Sequence, residues 1–149
     1  METRTEAGEA LTDLILETFR LNGAMLEAGN KLTKPHGLTS ARWQVMGAID
    51  LAGHAMTVAQ ISRRMGLSRQ GVQRIVNELV KSGLLELEDN IDHKRAPLVV
   101  ISEAGQRAMI GVNRAQALWV NQLAENLNTR QVKQAVSLMK SIRERTEQS

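Results

Sequence analysis

Two short apolar-periodic runs, divided by one glycine, constrain this chain more than any other feature. Thr57 to Gly83 reads TVAQISRRMGLSRQGVQRIVNELVKSG. Thr57 is a helix-capping residue type, and the run behind it stops at Gly66, where left-handed backbone costs least. Ser68 caps a second run with apolar positions Val72, Ile75, Val76, Leu79 and Val80, which ends at Gly83. In a helix-turn-helix counted from Gly66, the buried positions fall at Ile61, Met65, Leu67, Val72 and Ile75, and all five are apolar. Ser62, at the expected helix crossing, is small. The span carries Arg63, Arg64, Arg69, Arg74 and Lys81 against a single acid, Glu78. Such an excess of cations suits a helix that approaches polyphosphate. A plain helical hairpin with a solvated basic face shares the pattern, so the segment that follows decides between them.

After Gly83 the period changes. Leu84, Leu85 and Leu87 alternate with Glu86 and Glu88, Asp89 to Pro97 is turn chemistry, and Leu98-Val99-Val100-Ile101 is a β-branched run of strand length. Two short strands around a polar tip predict a β-hairpin. Its tip carries Asp92, His93, Lys94 and Arg95, the layout of a basic wing behind a recognition helix. An arginine there suits a minor groove, where the potential is most negative. Asp92 is expected to structure the wing, by an ion pair with Lys94 or Arg95 or by accepting backbone amides at the turn.

From about Leu38 to Gly105 these residues resemble the MarR-type (multiple antibiotic resistance) winged-helix transcriptional regulators. The resemblance lies in LTSARWQVM (38–46), in the AQISRRMGLSRQGVQRIVNELVKSGLLE core, and in the NIDHKRAPLVVISEAG wing and exit. It implies a mainly α (α+β) fold: a winged helix-turn-helix with N- and C-terminal dimerisation helices and a two-stranded β wing. It also implies a homodimer on a palindromic operator, usually repressing, released by a small aromatic or phenolic acid. The Thr-rich start of the family's recognition helix is replaced here by Arg69-Gln70-Gly71 with Gln73, so the operator sequence does not carry over.

The flanks read as the dimerisation elements of one chain, 1–149, with a DNA-binding region at 38–102. Leu11, Leu14, Thr18, Leu21, Met25, Ala28 and Leu32 recur at helical spacing, and Ile15, Phe19 and Leu26 widen the apolar face. This predicts a helix over 8–34, ended by Pro35, which disfavours helical geometry before it. Thr39 or Ser40 is expected to cap the next helix. Over 103–146, Ser102 caps a long helix bearing Ala108, Val112, Ala115, Trp119 and Leu123. Asn126-Leu127-Asn128 interrupts it, and Thr129 is expected to cap a last helix with Val132, Ala135, Met139 and Ile142. Packing these helices between two subunits would cover their apolar faces and set two recognition helices about one DNA turn apart.

Composition narrows the function classes. With one Phe, no Tyr and two Trp, stacking on single-stranded bases is a poor binding mode. The first thirty residues carry a net charge of −4, so with +3 overall the remainder carries +7. An acidic end and a basic centre suit a protein that meets DNA with one face. There is no cysteine, hence no disulfide and no thiolate redox switch, which sets aside the family's peroxide-sensing branch. No apolar run nears the roughly 20 residues of a membrane span, and a cytoplasmic location is expected. His36, His54 and His93 have no mutual ligand spacing, and no phosphate-cradling loop, HExxH or serine elbow occurs, so neither catalysis, a metal nor a cofactor is expected.

The expected DNA contacts are therefore Ser68, Arg69, Gln70, Gln73 and Arg74 on the leading turns, Arg63, Arg64 and Lys81 toward phosphate, and His93, Lys94 and Arg95 on the wing. Glutamine pairs with adenine and arginine with guanine in the major groove. Gly71 either permits close approach to the groove or is incidental to packing. The resemblance places an effector pocket among the first, second and fifth helices, with Met25, His36, Arg42, Trp43, Met46 and Arg114 as its candidates. Arg42 is suited to a carboxylate and Trp43 to an aromatic wall, although Trp43 also reads as simple core. The alternatives are a winged domain that contacts proteins without binding DNA, and a DNA-binding protein that answers to no ligand.

Overall fold

The computed structural model describes residues 2–149. In chain order it comprises α1 (Glu6–Thr33), a 3-10 turn (Lys34–His36), α2 (Ser40–Ala52), α3 (Val58–Met65), α4 (Arg69–Lys81), β1 (Leu85–Glu88), β2 (Leu98–Ile101), α5 (Glu103–Leu123) and α6 (Thr129–Gln148). The chain divides into two units, residues up to 115 and residues 116–149.

In the first unit α1 begins where Thr5 caps it, its Oγ1 accepting the Gly8 amide at 3.0 Å, with Glu6 and Glu9 in the first turn. Acids there interact favourably with the exposed amides. The helix stops at Thr33, two residues before Pro35, and Gly37 turns the chain at φ 72°. α1 then meets α2 at a very close crossing. Gly29 is buried, and a Cβ on it would overlap Ser40 Oγ. Ser40 uses that proximity twice: its hydroxyl donates to Leu26 O at 2.6 Å, and its amide donates to Asn30 Oδ1 at 2.8 Å. Thr39 is the α2 cap, accepting the Arg42 amide at 3.2 Å.

The helix-turn-helix forms where the spacing places it. Thr57 and Gln60 exchange the two bonds of a capping box, Gly66 supplies φ 65°, and Ser62 Oγ donates across the turn to Leu67 O at 2.5 Å. Ile61, Val72 and Ile75 are buried, whereas Met65 and Leu67 are half-buried and pack against the core. Val76, Leu79, Leu85, Val45, Met46, Ile49, Val99, Met109 and Val112 belong to the same core, which joins α2, α3, α4, both strands and α5. Fully burying each such side chain contributes about 1.5–3 kcal/mol.

β1 and β2 pair antiparallel in the register Leu85↔Ile101, Leu87↔Val99. A third arm, unforeseen in the sequence, braces them: Met56 forms a bridge to Val99, with Val99 N–H donating to Met56 O at 2.7 Å. Val99 is thereby paired on both sides, which pins the root of the hairpin. At the exit Ser102 accepts the Gly105 amide (3.1 Å) and donates to Gly83 O (2.6 Å). Gly105 is buried so tightly that a Cβ would strike the Leu84 carbonyl.

The second unit holds the end of α5 and all of α6. Asn128 caps α6 through Oδ1 on the Gln131 amide at 3.1 Å, so Thr129, the cap expected from sequence, is instead the first helical residue. Asparagine ranks above threonine at that position, and Asn126, at φ 65°, supplies the left-handed residue that turns the chain. No residue of α6 is buried, and Leu118, Leu123, Val132, Val136, Leu138 and Met139 are exposed. α1 likewise exposes Leu11, Ile15, Leu16, Phe19 and Leu21. Exposed apolar runs on this scale mark surfaces that pack against something. Among the described residues no helix is long and apolar enough to cross a membrane.

Candidate nucleic-acid interface

The leading turn of α4 is fixed by Ser68, whose Oγ accepts the Gly71 amide at 3.0 Å. Ser68, a candidate DNA contact, thus has its hydroxyl oxygen committed to the cap. A Cβ at residue 71 would lie 2.9 Å from that oxygen, so a larger residue there would need the Ser68 side chain to shift.

Arg69, Gln70 and Gln73 line a cleft of about 380 Å³ together with Arg95, Ala96 and Pro97 of the hairpin and Thr57, Val58 and Ala59 at the α3 start. Two arginines and two glutamines on one concave edge give it donors and acceptors for base edges and positive charge for phosphate. All four side chains were singled out by sequence, and the fold brings them together.

Arg74 is separated from that group. It is exposed, does not line the cleft, and its Nη1 lies 3.6 Å from Glu78 Oε1. The other carboxylate oxygen of Glu78 accepts Arg42 Nη2 at 3.4 Å. Gln73 in turn donates Nε2 to Asn77 Oδ1 at 2.9 Å, which orients its amide along the same helix face. Sequence reasoning passed over Asn77, although its place four residues after Gln73 signals the pair.

Arg63 and Arg64 are exposed on the last turn of α3. Lys81 is exposed on the last turn of α4, about 18 Å along the helix from Arg69 at 1.5 Å per residue. It therefore stands apart from the leading-turn residues. His93, Lys94 and Arg95 are all exposed at the hairpin tip.

Asp92 does not structure the tip as expected. Among the described residues its carboxylate forms no ion pair with Lys94 or Arg95 and accepts no backbone amide. Asn90 does that work: Nδ2 donates to Ala96 O at 2.9 Å and Oδ1 accepts the Asp92 amide at 3.2 Å. An amide side chain both donates and accepts, so it spans the loop in a way a carboxylate cannot.

The effector candidates are dispersed in character. Met46 is fully buried in the core. Trp43 is half-buried, packed on the core beside Gly29. Arg42 is engaged by Glu78, and Met25 and Arg114 are exposed. His36 lies with its ring against Gly111 of α5, where no Cβ intervenes. Among the described residues no three His, Cys, Asp or Glu side chains gather as metal ligands.

Residues 36–96 match the model of the MarR family. An uncharacterised protein of Mycobacterium tuberculosis is 37% identical over 117 residues, 78% of this chain and 80% of the relative. The Mycobacterium tuberculosis regulator MosR, solved in complex with DNA, superposes with a TM-score of 0.74 at 16% identity, over 89% of this chain and 96% of that one. CouR of Rhodococcus jostii, solved bound to p-coumaroyl-CoA, superposes with a TM-score of 0.77 at 22% identity, over 87% and 91%.

Proposed function

The chain belongs to the MarR family, and from that premise we propose that it is a sequence-specific, double-stranded-DNA-binding transcriptional regulator working in the cytoplasm. It acts as a homodimer on a palindromic operator, represses by occupying it, and is released by a small aromatic or phenolic effector. MarR regulators act by binding, and the chain is not an enzyme.

The observation that carries this reading is the single cleft shared by Arg69, Gln70 and Gln73 of α4 and Arg95 of the wing. A helix seated in a major groove with a basic fingertip beside it matches that arrangement. Arg63 and Arg64 on α3, with His93 and Lys94 on the wing, are exposed nitrogen donors available to phosphate, and α1, α5 and α6 are the dimerisation helices. Dimerisation accounts for their exposed apolar side chains, since two copies cover each other's faces and set two α4 helices on one side of a duplex. Occupancy would repress by excluding other proteins from the same stretch of duplex. DNA binding by MosR and ligand binding by CouR, on folds like this one, support the two activities.

The test is selection from a random duplex pool with the purified chain, followed by footprinting of the enriched sequence. The expected result is a protected tract with inverted symmetry and a binding constant that falls steeply with salt. Enrichment of no sequence overturns the reading. Effector release is then tested with aromatic carboxylic acids added to the preformed complex.

A further inference from the structure

Glu78 is the one acid on the basic helix-turn-helix span, and the structure shows what it does with its charge. One carboxylate oxygen meets Arg74 of the same helix at 3.6 Å, and the other meets Arg42 of α2 at 3.4 Å. Arg42 is the least exposed of the three, with its side chain 30% accessible against 72% for Arg74. The carboxylate is therefore anchored from the protein side and extended toward the exposed guanidinium.

We propose that Glu78 is a specificity-determining positioning residue of the DNA interface: held by Arg42, it keeps Arg74 lying along α4 for base edges and off the phosphates. The proposal rests on the DNA-binding reading above. An unpaired exposed arginine beside a duplex moves to phosphate, the strongest charge within reach, and phosphate carries no sequence information. Pairing with Glu78, which Arg74 shares with Arg42, offsets part of its charge and so weakens that pull. At 3.6 Å it is an ion pair, which leaves the guanidinium's N–H donors available for the acceptors of a guanine. Support of a reader side chain by a second, itself anchored, group also lowers the ordering cost of recognition.

The experiment is a double-mutant cycle on the 149-residue chain: wild type, Glu78→Gln, Arg74→Ala, and the two combined. Each is used in selection from a random duplex pool and in salt titration on one fixed, unselected duplex. Glu78→Gln is expected to steepen the logarithmic salt dependence by about 0.9, the contribution of one added phosphate contact to B-DNA. It is also expected to lower discrimination at one base pair per half-site by about ten-fold, the loss of one arginine–guanine pair. Neither change is expected in the Arg74→Ala background. An isosteric amide at a partly exposed site leaves the fold intact, and equal melting temperatures confirm it. Equal shifts in both backgrounds would mean a generic charge effect and overturn the proposal, as would an unchanged salt slope and base preference in the single variant. Absence of salt-dependent duplex binding by wild type overturns the DNA-binding reading itself.

Discussion

Asn90 donates its side-chain amide to the Ala96 carbonyl at 2.9 Å, closing the wing loop across five intervening residues. The same side chain accepts the Asp92 amide, so the tip bearing His93, Lys94 and Arg95 is held at both ends by one residue. Below it, Val99 is paired with Leu87 on one side and Met56 on the other. The wing is thus fixed at its base and tied at its tip, which leaves its cations as the parts free to adjust.

Asn90→Ala removes both tip bonds from an exposed loop. The melting temperature is expected to fall little, the net loss being about 1 kcal/mol. Operator affinity is expected to drop about five-fold, because the loop must then be ordered on binding. Calorimetry and fluorescence anisotropy on the selected duplex check the two halves separately.

Arg95→Ala is expected to weaken operator binding with a melt indistinguishable from wild type. Its salt slope should be shallower by about 0.9 if the guanidinium sits on phosphate or in the minor groove. An unaltered affinity would show that the wing does not engage the duplex.

Gln73→Ala and the pair Arg63→Ala/Arg64→Ala should fail in different ways. The first is expected to relax preference at one base pair, costing about 1–3 kcal/mol of discrimination. The second should weaken all sequences alike and flatten the salt dependence. Parallel selections report the first effect and salt titrations the second.

Gly105→Ala tests the joint between wing and α5. Its added methyl would meet the Leu84 carbonyl and the Ile101 side chain, neither of which can swing away freely. We expect a destabilisation of about 2 kcal/mol, in the range of overpacked cores, read as a lower midpoint in urea with an unchanged slope.

Phe19 is 69% exposed on α1. In sedimentation the wild-type chain is expected at twice its 16.5 kDa mass, and Phe19→Glu is expected to shift it toward the monomer by placing a charge on the covered face. A wild-type monomer at micromolar concentration would overturn the dimer.

Much of this was legible in the chain because local rules and tertiary structure agree along it. The two helices of the turn, their caps at Thr57 and Ser68, and the left-handed Gly66 and Gly83 each follow from residue type and spacing. What remained hidden depends on partners distant in sequence. The bridge from Met56 to Val99 joins segments with no shared pattern. Arg42 reads alone as an exposed cation, and only the packing of α2 against α4 reveals that Glu78 takes it. The Asp92 expectation failed for a subtler reason: charge suggested an ion pair, while the loop's open backbone groups needed a donor and an acceptor on one side chain, which Asn90 has. Cluster membership was legible for Arg69, Gln70 and Gln73 because they share a helix. Arg95 joins them only through the hairpin register.

The seam at Gly29 and Ser40 has a mechanical consequence. Rolling α1 over α2 would break the Ser40 bonds to Leu26 and Asn30 together, and no side chain at residue 29 exists to act as a bearing. Sliding α1 on α2 therefore costs both bonds at once, at the first residue of the helix that carries Arg42.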